Sequence, residues 1–549
     1  MRTHFHRNPC AAHRAAARLH RGRTTGGTAQ ATDQGDLIEP RFDLATQPSI
    51  LVRTRTGEEL LGLHSVLLNA HVIETLAVPL PPAASGLWRL LAAITARITG
   101  LDQPDTPLEA WLKRRAELLE APTGFDPDII DTYCAAHTWD LFDRTRPFLQ
   151  DPALASQCAK TSGINTLVWG RPAGNNLAWF SAHTDTRPQP APSHEAFWHL
   201  LIHHYYGRSG TCSTRTLTPP APKHLQLRAG PVRGTVSFHP VGRTLYESLL
   251  LHLVPYQGSG QLADTDRCPW EEAPPAPHTP PTEVTWPGRL LAGRSRHALL
   301  LVPDTDGSHV TDVYLSFASR HIPPPAADPY TIIHTNRNKS ADKRDTPRRA
   351  DADRAMWRDL DALLLTDDET TNTHTSTRRP AAFDHLNDLP APVRIHLRVQ
   401  VHGFDQDPKT KDRTWYSALT PPIWNWAQEH DPDTATRIAE CRRAAETLAA
   451  TLRSTANQAW KQTTNAPRAR PCTWSRTALA LYWPRAEPLF WHLIEDREPD
   501  AFTAFAHLAI TALRTATRTD LLHHQSAGPA LAQALATLRA TQSDRPKDR

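Results

Sequence analysis

The sequence predicts an α+β protein, in which a mixed α/β N-terminal globular domain is followed by a C-terminal four-helix bundle. Residues 394–403, RIHLRVQVHG, alternate apolar and polar side chains with a period of two, which is typical of a half-buried strand. From about Tyr416 the composition changes to helical patterns with few β-branched runs. These two observations place a domain boundary near residue 415.

The N-terminal domain, residues 37–415, mixes short strands with amphipathic helices. Hairpin turns are expected at residues 56–59 and 304–307. The strands are expected at residues 42–44, 50–52, 236–239, 298–303 and 310–317. The apolar periodicity predicts helices over residues 88–98, 108–119, 126–142, 194–206 and 245–254.

The C-terminal domain, residues 416–541, is expected to be a bundle of about four helices. Helical patterns cover residues 423–460, 475–483, 488–494, 501–524 and 529–541. Before this domain, residues 263–287 are rich in proline, which predicts an extended linker.

Four further segments are expected to lie outside packed structure. Residues 1–36 contain many arginines and no acid before Asp33, which predicts a disordered basic extension. The tail at residues 542–549 is also expected to be disordered. Residues 336–354 and 366–380 are charged or rich in threonine, and they are predicted to be mobile loops.

Charge and cysteine content exclude several classes of protein. The 549 residues carry a formal net charge of only +4, so the chain lacks the strongly basic surface of a protein that binds DNA on its own. Its seven cysteines form no CxxC pair, which argues against a disulfide scaffold and a structural zinc site. Because no apolar run approaches 18 residues, we expect no membrane-spanning helix, and a cytoplasmic location fits best.

Residues 146–176 form the most informative loop segment. It begins with the apolar anchor RPFLQ and ends in GRPAGNN at residues 170–176. The glycines permit positive φ angles and close approach of a partner. Arg171, Asn175 and Asn176 supply hydrogen-bond donors with no carboxylate beside them, which suits contact with a phosphate backbone or a base edge. The alternative is an ordinary surface loop.

His199 and His203 are the best candidates for catalysis, since they lie four residues apart on one helical face. A zinc-binding HExxH motif would require a glutamate beside the first histidine, and Glu195 does not have that register. The GxGxxG, GxxxxGK[ST] and GxSxG motifs are absent. The sequence therefore predicts no enzyme, no metal and no cofactor. A zinc-dependent hydrolase that uses these two histidines stays open as an alternative.

Two further cationic loops are candidates for contact with nucleic acid. The first places Arg294 and Arg296 just before a strand. The second follows the period-two strand and contains Gln406, Lys409, Lys411 and Arg413. A glutamine at a strand end, flanked by cations, is suited to entering a groove or stacking on a base step. The aspartates at 405, 407 and 412 offset these cations, so a solvated turn is the alternative.

Several stretches occur in the order found in one known family. They are FDLATQPSILV, RPFLQ followed by GRPAGNN, RAGPVRGTVSFHPVGRTLYESLLLHL, HALLLVPDTDGSHVTDVYLSFASRH and RVQVHGFDQ. Together with the C-terminal helices they cover most of residues 41–541. In these stretches the sequence resembles the large subunit (CasA) family of the type I-E CRISPR Cascade surveillance complex.

The resemblance implies a non-catalytic subunit that recognises the PAM, a short motif beside the target, on double-stranded DNA and helps open the duplex for R-loop formation. The implied partners are other Cascade subunits, the 5′ end of the guide RNA, and a helicase-nuclease recruited on target binding. The family's glycine loop would match Gly170 to Gly174, and its glutamine wedge would match Gln406. Lys160 and Asn165 lie in a segment that resembles the family's loop at the 5′ end of the RNA.

The resemblance also implies a cationic contact with the DNA, for which Arg294 or Arg296 is the expected residue. The remaining residues expected to bind nucleic acid are Arg171, Asn175, Asn176, Lys409, Lys411 and Arg413. A helical scaffold that binds only proteins is the last alternative. It would be favoured if changes at Gly170 and Gln406 left target binding unaltered.

Overall fold

A computed structural model describes most of the chain. The described residues are 39–121, 123–173, 181–220, 225–255, 266–280, 283–321, 326–365, 374–409, 411–497 and 500–541. The predicted basic extension, 1–36, and the predicted tail, 542–549, lie outside them. The described part mixes helices with small sheets and ends in a helical cluster, which confirms the predicted fold class. None of its helices is long and apolar enough to cross a membrane.

One long buried helix organises the N-terminal region. The helices of this region are α1 (Leu63–Leu68), α2 (Pro81–Thr99), α3 (Leu108–Glu120), α4 (Pro127–Ala135), α5 (Leu154–Gln157), α6 (Ile164–Leu167), α7 (Ser193–Tyr206), α8 (Leu245–Leu251), α9 (Gly288–Leu291), α10 (Ala341–Arg344), α11 (Asp361–Leu364) and α12 (Ala391–Arg394). Pro81 occupies the first turn of α2, where a missing N–H costs nothing, and Gly100 ends the helix with φ 69°. Almost every side chain of α2 is buried, and the helix packs against α7 and α8.

The strands of the described part form four antiparallel sheets of three strands each. They are β1 (Ile50–Thr54), β2 (Gly57–Leu61), β3 (Thr75–Leu76), β4 (Ala191–Pro192), β5 (Val236–Val241), β6 (His297–Pro303), β7 (His309–Phe317), β8 (Ile333–Asn336), β9 (Asp345–Pro347), β10 (Thr375–Arg378), β11 (Arg398–Gln406) and β12 (Asp412–Leu419). The sheet orders are β2-β1-β3, β4-β7-β6, β10-β8-β9 and β12-β11-β5. The two longest ladders, β6–β7 and β11–β12, are hairpins.

Strand β11 is the central strand of its sheet and contains most of the predicted period-two strand. It begins at Arg398 rather than Arg394, because Arg394 ends helix α12. Val399 and Val401 are buried, as the alternation predicts. Beyond Val401 every residue of the strand is buried, so both faces of its second half are covered. One side is covered by helices, since α2 packs against β11.

The C-terminal region is a cluster of four helices. These are α13 (Pro432–Thr464), α14 (Thr473–Glu495), α15 (Ala501–Thr517) and α16 (Ala527–Ala540). The side chain of Asp431 caps α13 by accepting a hydrogen bond from the N–H of Thr434, and α13 packs against all three other helices. Buried apolar side chains form a continuous cluster from Phe42 to Leu538.

Several predicted helix boundaries are wrong. The two helices predicted at 475–483 and 488–494 are the single helix α14, which contains Pro484 and Pro488. Tyr482 and Phe490 are buried on either side of the prolines, so packing holds the helix together across them. Helix α4 ends at Ala135 rather than at 142. Helix α13 begins at Pro432 rather than at 423 and ends at Thr464 rather than at 460, and α15 ends at Thr517 rather than at 524.

Three segments expected to be loops or linkers contain packed structure. Within 336–354 lie α10 and β9, and β9 pairs with β8. Part of 366–380 forms β10, which pairs with β8, while 366–373 lie outside the described residues. The proline-rich stretch 263–287 buries Cys268 and Trp270. Residues 42–44, predicted as a strand, form only a single bridge, Asp43 to Asp140.

Candidate nucleic-acid interface

The β11–β12 hairpin presents the second cationic loop, and Gln406 forms its base. The side chain of Gln406 is only 3% exposed. Its Oε1 accepts the N–H of Gly234 at 3.1 Å, and its Nε2 donates to Asp412 Oδ1 at 2.6 Å and to the Tyr206 carbonyl at 3.3 Å. An amide with these partners is fully engaged inside the protein. The match of Gln406 to the glutamine wedge is therefore wrong for this structure, because the side chain does not reach the surface.

Two arginines that the sequence analysis did not select hold the same hairpin base. Arg233 donates to the carbonyls of Asp407 and Lys411, at 3.1 and 3.3 Å, and forms a 2.8 Å ion pair with Asp412. Arg349 donates to the Gln406 carbonyl at 2.7 Å and to the Arg233 carbonyl at 3.0 Å. Burial lowers the pKa of Arg233, while Asp412 opposes the shift. Arg233 thus ties together the two strands of the hairpin.

Gly234, beside Arg233, is constrained by this arrangement. Its φ is +64°, and a Cβ at this position would collide with the guanidinium of Arg349. A side chain would therefore be strained and would displace Arg349. The turn GPVRG in the sequence marks this position, but its spacing gives no sign of the partners, which lie far away in the chain.

The tip of the hairpin, residues 407–411, includes three exposed residues among those described. The side chain of Asp407 accepts the backbone N–H groups of Lys409 and Lys411, at 2.8 and 3.0 Å, which closes the turn. The side chains of Pro408, Lys409 and Lys411 face solvent, while Thr410 lies outside the described residues. The Lys409 carbonyl accepts hydrogen bonds from both the N–H and the hydroxyl of Ser209. The tip is therefore a fixed turn that presents two lysines.

Arg413 differs from these two lysines because it has an acidic partner. Its side chain is 70% exposed and forms a 3.3 Å ion pair with Asp405. An ion pair in this setting is weak and readily exchanged for a phosphate.

The central loop lies directly against this hairpin. The ring of Trp169 contacts Phe404 with centroids 5.5 Å apart, and Phe404 contacts Trp415 at the same distance. Gly170 is exposed with φ +91°, and a Cβ at this position would lie 3.8 Å from the Trp415 ring. Both edge-on aromatic contacts are of the favourable type. The structure therefore brings Gly170 and the cationic hairpin to one surface.

His199 and His203, the candidate zinc pair, support this loop from below. Nδ1 of His199 accepts the N–H of Trp169 at 3.3 Å, and Nε2 of His203 lies 3.0 Å from the Leu167 carbonyl, to which it donates. Burial lowers the pKa of His199 to about 3, with Arg171 acting in the same direction, and burial also lowers the pKa of His203. Both imidazoles are thus neutral structural groups. The described residues contain no cluster of three metal-ligating side chains.

The other predicted residues of the central segment have different surroundings. Lys160 is exposed. Asn165 is 3% exposed and donates to Asp185 at 2.8 Å, so its assignment as a nucleic-acid contact is wrong for this structure. Arg171 is half-buried and donates to the Gln189 carbonyl at 2.5 Å, and burial lowers its pKa. Gly174, Asn175 and Asn176 lie outside the described residues.

Arg294 and Arg296 do not belong to the hairpin surface described above. Each is half-buried and donates to a backbone carbonyl, Arg294 to Ala326 at 3.1 Å and Arg296 to Ala229 at 2.8 Å. Burial lowers the pKa of both. They line a cavity, and their expected role as the cationic contact with DNA stays a prediction.

The comparisons with known proteins agree on one family. The family model described as CRISPR-associated protein Cse1 matches residues 43–523. The chain belongs to the Cse1 family. A CasA/Cse1 protein of Thermus thermophilus is 26% identical over 349 residues, which are 59% of this chain and 60% of that protein. The alignment thus spans less than two thirds of that relative.

Solved structures extend the match to most of the chain. A chain of a structure titled CRISPR RNA-guided surveillance complex is 37% identical, with a TM-score of 0.80, and the match covers 91% of this chain and 100% of that one. Thermus thermophilus CasA (Cse1) has a TM-score of 0.70 at 20% identity and covers 92% and 99%. The second match concerns the fold alone. Together they confirm the resemblance seen in the sequence.

Proposed function

We propose that the chain is the non-catalytic large subunit of a type I-E CRISPR RNA-guided surveillance complex. In this role it recognises the PAM on double-stranded target DNA, helps open the duplex and recruits a helicase-nuclease. Family membership supports the role, as does the 37% identity to a chain of a surveillance complex. The partners are the other subunits of the complex and the 5′ end of its guide RNA, and the exposed Lys160 is the residue that we propose contacts this RNA.

One observation carries the assignment of the DNA-binding surface. Gly170 lies against the hairpin that bears Lys409 and Lys411, although the two are far apart in sequence, because Trp169 and Trp415 both pack on Phe404. A zinc hydrolase would need free imidazoles, whereas His199 and His203 are occupied in supporting the same loop.

The chemistry of this surface suits a DNA groove. Lysines on a fixed turn provide point charges for phosphates, which position a protein without reading sequence. Gly170 has no side chain, so a backbone or base edge can approach it closely. In the minor groove the pattern of donors and acceptors is degenerate, and we therefore expect relaxed PAM preference.

Duplex opening is assigned here to the tip of the hairpin rather than to Gln406. Pro408 is exposed at the turn, and its ring is rigid and apolar. Proline is among the apolar side chains that proteins insert between base steps. Pro408→Gly in the assembled complex is expected to slow strand separation, measured by the fluorescence of 2-aminopurine beside the PAM, with little change in initial binding. If the variant slowed initial binding as much as strand separation, or slowed neither step, the result would contradict this role.

Target binding by the assembled complex tests the proposal as a whole. The chain is assembled with its neighbouring subunits and a guide RNA, and binding to duplex targets with a randomised flanking motif is measured. Lys409→Glu with Lys411→Glu is expected to weaken target binding by about tenfold or more, since two phosphate contacts become repulsive. Lys113→Glu with Arg114→Glu, exposed on α3, is the matched control. Equal affinity for both double variants would overturn the proposed surface.

A further inference from the structure

A cavity with largely apolar walls lies away from the hairpin and has no assigned role. Its volume is about 300 Å³. One wall is the proline-rich stretch from Pro269 to Pro280, and another is the RPFLQ segment, in which Leu149 has φ +56°. Its size and largely apolar walls are within the range of small-ligand sites.

Four of the arginines that line this cavity have no carboxylate partner among the described residues; one of them, Arg146, donates to the Trp270 carbonyl at 3.0 Å. Arg294 and Arg296 donate to backbone carbonyls, and Arg228 makes no recorded hydrogen bond with the described residues. Nε of Arg296 is buried with no partner among those residues. The neighbouring arginines 228 and 294 lower the pKa of Arg296 further, in addition to its burial. A buried donor of this kind is costly unless a ligand satisfies it.

Three of the four nearby acids, Asp328, Asp151 and Glu272, are already paired with other cations. Asp328, the carboxylate that acts on Arg294, pairs with Arg89 through two hydrogen bonds of 2.8 and 2.9 Å. Asp151 pairs with Arg215 at 2.6 Å. Glu272, in the proline-rich wall, pairs with Arg289 at 3.1 Å. Glu283, which also lines the cavity, is exposed to solvent.

The walls distinguish between kinds of anion. Stacking of a nucleobase requires an exposed aromatic face. The aromatic residues Phe148 and Trp270 are buried and pack on each other with centroids 5.7 Å apart. The accessible walls are instead prolines and small residues such as Pro274, Ala273 and Ala276. An apolar group that carries a carboxylate matches both the walls and the arginines, which bind carboxylates in bidentate geometry.

We propose that this cavity binds an organic carboxylate with an apolar body, such as the carboxylate of a peptide segment. Arg228, Arg294 and Arg296 supply the donors, and the proline wall covers the apolar part. The site is independent of the proposed DNA-binding surface, and its test involves no nucleic acid.

The test is isothermal titration calorimetry of the full-length chain with phenylacetate. The neutral isostere phenylacetamide, inorganic phosphate and uridine monophosphate are titrated in parallel. We expect saturable binding of phenylacetate and at least about tenfold weaker binding of the amide, because the amide lacks the charge-assisted hydrogen bonds. Absence of saturable phenylacetate binding, or tighter binding of either phosphate compound, would overturn the proposal.

Variants locate the binding within the molecule. Arg228→Gln removes a cavity arginine whose side chain makes no hydrogen bond with the described residues, so the fold should be retained, and we expect about tenfold weaker phenylacetate binding. Arg296→Gln is expected to act similarly. Arg114→Gln, exposed on α3, is the matched control and should bind as the wild type does. Unchanged affinity in a folded Arg228→Gln variant would overturn the assignment of this cavity.

Discussion

The base and the tip of the β11–β12 hairpin differ in burial and in how their side chains are bonded, although they are adjacent in sequence. At the base, Gln406 and Arg233 are buried and their polar groups are engaged with protein partners. At the tip, Lys409 and Lys411 face solvent, and only the backbone of the turn is fixed. The comparison teaches that the base determines where the tip lies, while the tip provides the charges for a partner.

Arg233→Ala should break the base most severely. It removes the ion pair with Asp412 and the hydrogen bonds to the carbonyls of Asp407 and Lys411, which leaves the largely buried Asp412 carboxylate without its cation. Loss of one partner of a buried pair costs about 3–5 kcal/mol, and this is the expected fall in the free energy of unfolding. Denaturant unfolding gives the measurement. Arg413→Ala, on the exposed part of the same hairpin, should change stability by less than about 1 kcal/mol. Equal effects would contradict the comparison.

Gln406→Ala should have the next largest effect. The N–H of Gly234 loses its acceptor, and a buried unsatisfied donor costs about 1–3 kcal/mol. We expect a fall of this size in the free energy of unfolding. Target binding by the complex should weaken only to the extent that the variant disturbs the hairpin. The exposed Gln103→Ala is the control. A stable variant that binds DNA but fails to open it would restore the wedge role of Gln406.

Lowering the pH should weaken the support of the central loop, which rests on a buried histidine, more than it weakens the hairpin base. The pKa of buried His199 is lowered to about 3, so the unfolded state binds its proton first as the pH falls, and stability is lost below the ordinary histidine value of about 6.5. At about pH 5.5, this one histidine should lower the free energy of unfolding by about 1.4 kcal/mol relative to neutral pH. His199→Asn keeps an acceptor for Trp169 and should remove that part of the loss. An unchanged pH dependence of unfolding in this variant would contradict the proposed support.

Much of the secondary structure was predictable, because it follows local periodicity. Helix α7 and the β6–β7 hairpin were predicted close to their observed bounds. The single helix α14 was not, because packing overrides two prolines that locally favour a break. The pairing of β8, β9 and β10 was also missed, since threonine-rich and charged strands carry little apolar pattern.

The candidate site was only partly predictable for a related reason. Lys409 and Lys411 were selected because a turn sequence with cations indicates exposure, and the structure places both at the surface. Gln406 was taken as exposed because alternation on one strand does not show what covers its ends. Arg233 and Arg349 were missed altogether. Their partners are distant in sequence, so no spacing rule connects them to the hairpin.

The most direct test of the central claim measures target-DNA affinity of the assembled complex at several salt concentrations. Lys409→Ala with Lys411→Ala is compared with Lys113→Ala with Arg114→Ala. If the tip contacts phosphates, the slope of log affinity against log salt should fall by about 2, about one for each lysine, with the free energy of unfolding unchanged. An unchanged slope in the Lys409 and Lys411 variant would contradict the assignment of the hairpin tip as a DNA contact.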